Sequence, residues 1–372
     1  MKKIHVYSLF GLHTYYKEII DFPPSNVIYS QKKLGEYKTG TKLKENFLRK
    51  LLFATKMLRF GYVFNPGKNE LIHSSRGILI LNKKYWVLDI DNSGSFVNFK
   101  YKLLENPFYR KVIARSLSSN FCKKIMPWSN AGKESILNSL KLRKIENKFE
   151  VLYPAMHIPI QRNKRKNENL KILFIGAFYR KGGRDSLEAF DTLNKKYDIE
   201  LVMVSDVPEE FKKKYKSFPN VQFEQLGMPR KNLLNKFYPE ADIFLYPTYW
   251  DIFGFVILEA MSFSLPVIST NIYAIPEAIE NEKNGFLLNA PIFWHDNKFL
   301  PKQKVVSNFN EIIKSKHPFI VKEIIEKTSL LIDDSSLRKK MGRNGKNLIA
   351  KGKFSIKERN KKLLDIYKEA IE

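Results

Sequence analysis

The stretch YPTYWDIFGFVILEAMSFSLPVIST, residues 246–270, decides the fold of this chain. It begins at the end of an apolar run, IFLYP, that predicts a buried strand at residues 243–247, and Gly254 then permits a sharp backbone turn. Residues 255–263 predict an apolar helix with a single charged side chain. Pro266 cannot continue that helix, so the run PVIST predicts a second strand.

Two carboxylates, Asp251 and Glu259, flank the turn and the start of this helix. A helix N-terminus beside a glycine turn offers free backbone N–H groups and a positive dipole end, which suit a phosphate or a sugar oxygen. Glu259 lies about five residues into the helix, which is roughly 7–8 Å along the helix axis. That separation favours two hydroxyl-bearing parts of one extended ligand over a shared proton. The alternative is an amphipathic helix with one solvated glutamate.

The wider pattern resembles the nucleotide-sugar site of glycosyltransferase family 4, whose signature is an acid, seven residues and a glutamate. The resemblance includes the approach FYPEADIFLYPT at residues 237–248 and the sequel IPEAIENEKNGFLL at residues 275–288. It implies an α/β chain of the GT-B fold, in which two Rossmann-like domains face a cleft. It also implies retaining transfer of a hexose from a nucleotide diphosphate sugar to a hydroxyl of a glycan or lipid-linked acceptor, without a cofactor or a metal.

The resemblance assigns roles to residues at the predicted donor site. Glu259 would accept hydrogen bonds from the ribose, Asp251 would contact the hexose, and the amides of Phe253, Gly254 and Phe255 would meet the sugar or the phosphate. Asp251 stands where glutamate is commoner in the family, and Tyr273-Ala274 where paired glycines are frequent. These departures leave open a binding protein that has lost catalysis.

The loop GAFYRKGG, residues 176–183, follows the first predicted strand of the second half. The carboxyl end of a strand is the usual ligand position in an open α/β sheet, which makes Gly176 a candidate donor contact. By resemblance, Arg180 and Lys181 would neutralise the diphosphate, as both side chains suit phosphate oxygens. Many relatives carry arginine where this chain has Ala177. The alternative is a solvated basic turn.

The candidate residues in the first half are fewer. Gly11 and His13 follow the first predicted strand, where relatives often have a glycine-rich loop that closes over the donor phosphate. Asp91 ends the strand YWVLDIDN at a position where many relatives place a histidine. Asp91 could orient an acceptor hydroxyl or assist its deprotonation, or it could simply cap the strand end. For His73, at another strand end, a satisfied core or loop histidine is the favoured interpretation.

Alternating patterns predict the remaining organisation, with a parallel sheet and helices on both faces in each half. We expect an acceptor domain at residues 1–160, a polar linker at 161–169 (QRNKRKNEN), a donor domain at 170–350 and a terminal helix beyond 351 that crosses back onto the first domain, as in the family. The predicted strands of the first half are 3–8, 26–29, 70–73, 85–91, 124–128 and 149–153. Its predicted helices are 14–20, 42–60, 107–118 and 129–140. In the second half we predict strands at 171–176, 200–204, 221–223, 243–247, 266–270 and 285–288, an irregular insertion at 290–308 and helices from residue 310 onward.

Length, cysteine count and net charge limit the possible domain number, compartment and binding partners. The chain has 372 residues, enough for two domains, and its single cysteine, Cys122, fits a reducing compartment. Residues 1–150 hold 28 Lys and Arg against 11 Asp and Glu, so they carry +17 of the total charge of +27. Nucleic acid, an anionic membrane and a lysine bias are the candidate explanations. Nucleic acid is the least favoured, because no zinc-finger spacing or RNA-binding aromatic motif is present.

A membrane hypothesis depends on residues 42–59, where lysines and arginines alternate with apolar residues at helical spacing. Such a helix can dock on an anionic surface and meet a lipid-linked acceptor. The expected location is therefore cytoplasmic, with peripheral attachment to the inner face of the membrane. The alternative is an ordinary helix that packs its apolar stripe internally.

Overall fold

A computed structural model describes residues 3–11, 13–31, 58–61, 63, 71–159 and 169–372. Contacts divide the chain into two units. The N-terminal unit comprises Met1–Pro154, Asn297–Leu300 and Lys357–Glu372, and the second unit comprises Ala155–Asp296 and Pro301–Ile356. The predicted helix at 42–60, up to residue 57, and all but the last residue of the predicted linker lie outside the described residues.

Five parallel strands form the sheet of the N-terminal unit. They are β1 (Ile4–Ser8), β2 (Val27–Gln31), β4 (Leu71–Ser75), β6 (Trp86–Ile90) and β7 (Cys122–Pro127), in the order β2-β1-β4-β6-β7. Two short strands, β3 (Phe60–Gly61) and β5 (Leu79–Ile80), pair separately in parallel. The strand at Phe60 corrects the end of the predicted helix at 42–60. In the described part of the N-terminal unit, the helices of at least two turns are α1 (Thr14–Asp21), α2 (Pro107–Ser118), α3 (Asn130–Leu140) and the terminal helix introduced below.

Local signals explain where the helices of this unit begin. Asn106 accepts from the amide of Phe108 at 2.9 Å and Pro107 takes the first helical position of α2. Ser129 caps α3 as predicted, accepting from the amide of Gly132 at 2.9 Å. The predicted strand at 149–153 is only partly formed. It makes an isolated parallel bridge between Phe149 and Ile125, and the amides of Glu150 and Leu152 donate to the carbonyl oxygens of Ile125 and Pro127 in β7, each at 2.9 Å.

Six parallel strands form the sheet of the second unit. They are β8 (Leu170–Ile175), β9 (Ile199–Val204), β10 (Val221–Glu224), β11 (Ile243–Tyr246), β12 (Val267–Thr270) and β13 (Gly285–Leu288), in the order β10-β9-β8-β11-β12-β13. Each predicted strand of this half is present within one or two residues. Continuous apolar runs bounded by turn residues are typical of buried parallel strands, which explains this agreement.

The helices of the second unit include two that pack closely against each other, α6 and α10. They are α4 (Gly183–Leu193), α5 (Glu209–Lys214), α6 (Phe255–Ser262), α7 (Ile275–Ala278), α8 (Gln303–Ile312), α9 (Pro318–Asp333) and α10 (Ser335–Ala350). The predicted irregular insertion at 290–308 is too long, since α8 already begins at Gln303. A Cβ at Gly342 would lie 1.9 Å from the carbonyl oxygen of Ser264, so α10 packs directly against the end of α6.

The terminal helix α11 (Ile356–Ile371) packs within the N-terminal unit, to which contacts assign Lys357–Glu372. Tyr367 is fully buried, and its hydroxyl lies 2.5 Å from Nδ1 of His73 and 2.9 Å from the hydroxyl of Tyr29. On the other side of the ring, Nε2 of His73 lies 2.8 Å from Oδ2 of Asp89. His73 is therefore part of a buried polar chain that ties α11 to β2, β4 and β6 of this unit.

Candidate functional site

In the sheet of the second unit, the order in which the chain adds strands reverses between β8 and β11. From β8 the chain proceeds to β9 and β10 on one side and then to β11, β12 and β13 on the other. In open α/β sheets, ligands bind outside the carboxyl ends of the strands at such a switch point. The loop after β8 carries Arg180 and Lys181, and the turn after β11 carries Asp251. The topology therefore brings the two predicted basic residues and one predicted acid to one edge of the sheet.

Glycines let the loop after β8 lie directly on the turn after β11. Gly176 and Gly182 have φ values of +147° and +75°, which side chains disfavour. A Cβ at Gly182 would lie 2.3 Å from the carbonyl oxygen of Pro247. This contact places Lys181, whose Nζ donates to Oδ2 of Asp251 at 2.6 Å and to the carbonyl oxygen of Trp250 at 2.9 Å. Burial lowers the pKa of Lys181, while the carboxylate of Asp251 raises it.

The carboxylate of Asp251 organises the turn. Its Oδ1 accepts from the amides of Ile252, Phe253 and Gly254 at 2.7, 3.3 and 3.1 Å, and its Oδ2 accepts from the hydroxyl of Tyr246 at 2.5 Å. Burial opposes the charge, but Lys181, Tyr246 and the amides outweigh it and hold the pKa of Asp251 at about 2. The amides of Phe253 and Gly254, which we expected to meet a sugar or phosphate, donate to Asp251 in this structure. Phe255 begins α6 directly after them.

Glu259 lies in α6 with 4% of its surface exposed. Nε of Arg230 donates to its Oε1 at 2.5 Å, and the hydroxyl of Tyr238 donates to its Oε2 at 2.9 Å. Arg230 and Tyr238 belong to a helical segment that precedes β11, and neither had been predicted as part of the site. A carboxylate offers about four acceptor positions, and these two donors occupy two of them. The solvated-glutamate alternative is wrong for this side chain.

The two basic residues of the loop occupy different environments. Lys181 is buried, whereas Arg180 is exposed and its guanidinium carbon lies 5.5 Å from the ring centre of Trp250. The amide of Tyr249 donates to the carbonyl oxygen of Arg180 at 3.0 Å, which fixes the backbone there. Lys181 therefore shapes the turn, and Arg180 presents its charge to solvent at the same edge.

Several aromatic side chains lie beside the turn. The ring centres of Trp250 and Trp294 lie 6.0 Å apart, and those of Tyr273 and His295 lie 4.5 Å apart. Tyr273, which stands where the family favours glycine, has a φ of 44°, in the left-handed region. The position thus keeps the backbone conformation that glycine adopts freely while it adds a large ring. Burial lowers the pKa of His295 to about 3, so this imidazole is neutral.

The candidates in the N-terminal unit play local structural roles here. Asp91 is buried, accepts from the amide of Asn92 at 2.9 Å and from the hydroxyl of Ser95, and has a pKa raised by burial. A Cβ at Gly11 would meet no atom of the described residues within 4 Å, so this position shows no steric need for glycine. His13 caps α1 by accepting from the amide of Tyr15 at 3.2 Å. The geometry of Asp91 fits the interpretation of a capped strand end.

Residues 169–292 match the family model described as Glycosyl transferases group 1. This match covers the loop after β8, the turn after β11 and helix α6. The resemblance stated from the sequence is therefore confirmed over this segment. Among the described residues, no cluster of three or more His, Cys, Asp or Glu side chains could hold a metal ion, and none of the helices is long and apolar enough to cross a membrane.

Curated relatives include proteins of capsule loci. The chain is 27% identical over 227 residues to an uncharacterised 41.2 kDa protein in the cps region of Klebsiella pneumoniae, covering 57% of this chain and 59% of that protein. It is 25% identical over 202 residues to the capsular polysaccharide biosynthesis glycosyltransferase CapM of Staphylococcus aureus, covering 52% of this chain and 44% of CapM. The match thus spans about half the length of these relatives.

Solved structures cover nearly the whole chain. Anabaena HepE in complex with UDP and glucose superposes with a TM-score of 0.62 at 12% identity, covering 98% of this chain and 99% of HepE. WaaG, a glycosyltransferase involved in lipopolysaccharide biosynthesis, superposes with a TM-score of 0.57 at 16% identity, covering 98% and 99%. At these identities the likeness shows the fold alone, and it confirms the predicted α/β fold of the GT-B type.

A buried acid beside the site gives a prediction about pH. Asp185, in the first turn of α4, accepts from the hydroxyl of Tyr249 at 2.8 Å, and its other oxygen is buried and has no hydrogen-bond partner in the described parts of the chain. Burial raises the pKa of Asp185 from 3.8 to about 6. Between these values the folded protein binds the extra proton, so this group's contribution to stability is present at low pH and is lost as the pH rises towards 6.

We therefore expect Asp185→Asn, which keeps the acceptor for Tyr249, to remove a pH dependence worth about 3 kcal/mol. Urea unfolding of both proteins at pH 4.5, 5.5 and 7 measures the difference, which should grow in favour of the variant as the pH rises. Asp365→Asn, on the exposed face of α11, is the matched control. Parallel stability curves for wild type and Asp185→Asn would contradict the assignment.

Proposed function

We propose that this protein is a glycosyltransferase that moves a hexose, with retention of configuration, from a nucleotide diphosphate sugar to a hydroxyl of a glycan or lipid-linked acceptor. The observation that carries the proposal is the convergence of Arg180, Lys181, Asp251 and the N-terminus of α6 at the switch point of the second sheet. That convergence lies inside the segment that matches the family model.

Each part of the site would have a separate task. Arg180 is exposed and would pair with the diphosphate, whose charge grows as the bond to the sugar breaks. Lys181 and Asp251 hold the turn that leads into α6, and Lys181 adds positive charge beside the diphosphate. Glu259, oriented by Arg230 and Tyr238, would accept hydrogen bonds from the ribose with its remaining lone pairs.

These roles supply positive charge from the protein itself, so we propose a reaction that needs no metal ion. Preorganised side-chain charge and helix-end amides can stabilise a leaving diphosphate without further cations. Activity that is unchanged after exhaustive chelation agrees with this part of the proposal. Loss of activity in chelator, with recovery on addition of a divalent cation, would contradict it.

The donor is tested by thermal unfolding of the full chain with UDP-, GDP- and ADP-sugars. A donor at a hundred times its dissociation constant should stabilise the protein by about 2.7 kcal/mol. We expect one nucleotide series to do so, and the stabilising donor to turn over when a glycan or lipid-linked acceptor is added. The absence of stabilisation by all three series would contradict the proposal.

A second candidate function is nucleotide-sugar binding without transfer. Tyr273 favours it, because a large ring stands where the family favours glycine and its backbone is held in the left-handed region. Titration calorimetry that shows donor binding, together with no product across an acceptor panel, supports this candidate. Turnover with any acceptor excludes it.

A further inference from the structure

The N-terminal sheet has its own switch point, between β1 and β4. From β1 the chain runs to β2 on one side and later to β4, β6 and β7 on the other. Hydrogen bonds join the ends of these two strands. The amide of Leu9 donates to the carbonyl oxygen of His73 at 2.9 Å, and the hydroxyl of Ser75 donates to the carbonyl oxygen of Leu9 at 2.5 Å. This is a position where open α/β sheets bind ligands, and Arg76 is the next residue after β4.

Arg76 is held in an unusual backbone conformation. Its φ is 47° and that of Gly77 is 78°, so two successive residues lie in the left-handed region. A Cβ at Gly77 would lie 2.7 Å from the carbonyl carbon of Ser95, and the amide of Arg76 donates to the carbonyl oxygen of Asp89 at 2.9 Å. The turn is therefore fixed against the segment after β6. A non-glycine residue maintained in this region is a feature that clusters at functional sites.

A second guanidinium, that of Arg59, lies against the backbone of Arg76. Nη1 of Arg59 donates to the carbonyl oxygen of Arg76 at 3.0 Å. Burial lowers the pKa of Arg59, and the positive charge of Arg76 lowers it further. Nε of Arg76 is buried and has no hydrogen-bond partner among the residues that the structure describes. Within the part of the chain that the structure describes, neither guanidinium forms an ion pair with a carboxylate.

Asp91 is the acid of this region, and its charge attracts both arginines, but among the described residues it forms an ion pair with neither. Its carboxylate accepts from Ser95 and from the amide of Asn92, and burial raises its pKa. Two cations that repel one another thus lie at a ligand-binding position of the sheet, and one of their donors is buried without a hydrogen-bond partner among the described residues. An oxyanion between them would remove the repulsion and accept from the free donor.

We infer that Arg59 and Arg76 form an anion-binding site of the N-terminal unit that takes a phosphate or carboxylate group of the acceptor. Guanidinium groups suit either oxyanion, because their planar array of donors can bind two oxygens at once. The existence of the anion site stands on the geometry alone, whereas its assignment to the acceptor rests on the proposed function. A phosphate would belong to a lipid carrier or a phosphorylated glycan, and a carboxylate to an acidic sugar.

The test uses the full chain, with inorganic phosphate and glucuronate as probes in separate calorimetric titrations. Each is run with and without saturating UDP, which occupies the site in the second unit if the proposed function is right. We expect one probe to bind in the presence of UDP. Arg76→Asn and Arg59→Gln should each weaken that binding at least about tenfold, the effect of losing one charge-assisted contact. Asparagine tolerates the left-handed region, and Arg59→Gln tests the site independently if Arg76→Asn folds poorly.

Arg115→Gln, on the exposed face of α2, removes the same charge from the same unit and should bind both probes as wild type does. UDP affinity should be equal in all four proteins. If UDP does not bind but the probe still distinguishes the variants, the anion site stands and the proposed function fails. If neither probe binds, or the variants bind it as wild type does, the anion site is wrong whatever UDP does.

Discussion

Arg180→Gln should lower kcat/KM for sugar transfer by about 10²–10³-fold, the scale of losing one preorganised charge contact to the transition state. The side chain is exposed and rests on Trp250, and among the described residues no carboxylate forms an ion pair with it. Its charge is therefore available to a diphosphate. Because a surface substitution of this kind changes stability by at most about 0.5 kcal/mol, the loss of activity should come without a change in the melting temperature.

Steady-state kinetics with the donor found by the unfolding screen measure this effect. Arg343→Gln, an exposed arginine on α10 of the same unit, is the matched control and should keep wild-type activity. Arg180→Lys should fall between the two, because it keeps the charge and loses the planar fork. Near-normal kcat/KM in Arg180→Gln would show that the diphosphate is neutralised by other groups.

Local patterns were enough to predict the framework of this site. The order β11, turn, α6 and β12 follows from an apolar run, one glycine and one proline, each of which acts over a few residues. The switch point was also accessible, since the loop with Arg180 and Lys181 follows the first strand of the second half. What the sequence could not give is which of the two basic residues is buried.

The contacts of Glu259 depend on residues far away in sequence. Arg230 and Tyr238 stand 29 and 21 positions before it and carry no motif of their own. Arg76 was missed for a different reason, because a left-handed backbone at a non-glycine residue leaves no trace in composition. The contact of Arg59 with it joins residues 17 positions apart and likewise has no sequence motif.

The incomplete strand at 149–153 has a different cause. Its residues FEVLY have high strand propensity, and the amides of Glu150 and Leu152 donate to the edge strand β7, but ladder pairing is limited to one bridge, between Phe149 and Ile125. Strand propensity measures how well side chains fit a half-buried pleated surface, and tertiary context decides whether such a surface is available. The start of α8 inside the predicted insertion is a similar case, in which two prolines, Pro291 and Pro301, suggested irregularity up to residue 308 while the helix begins just beyond the second.

The largest effect is expected for Lys181→Met, which replaces the ammonium beside Asp251 with an apolar side chain of similar length. The two side chains are only 9% and 19% exposed. Removing one partner of a buried ion pair leaves the other charge uncompensated, so we expect a loss of about 3–5 kcal/mol in the free energy of unfolding. Transfer should fall by more than about 10³-fold, because both the turn and a cation near the diphosphate are lost.

The double variant Lys181→Met/Asp251→Asn separates these two causes. An asparagine can still accept from the amides of Ile252 and Gly254, and no uncompensated charge remains, so most of the stability should return. Transfer should stay low, because the positive charge is still missing. Urea unfolding and initial rates on the same preparations give both quantities, with Lys195→Met, an exposed lysine of the same unit, as control. Recovery of transfer together with stability would show that Lys181 only supports the turn, and the diphosphate role would then pass to Arg180 alone.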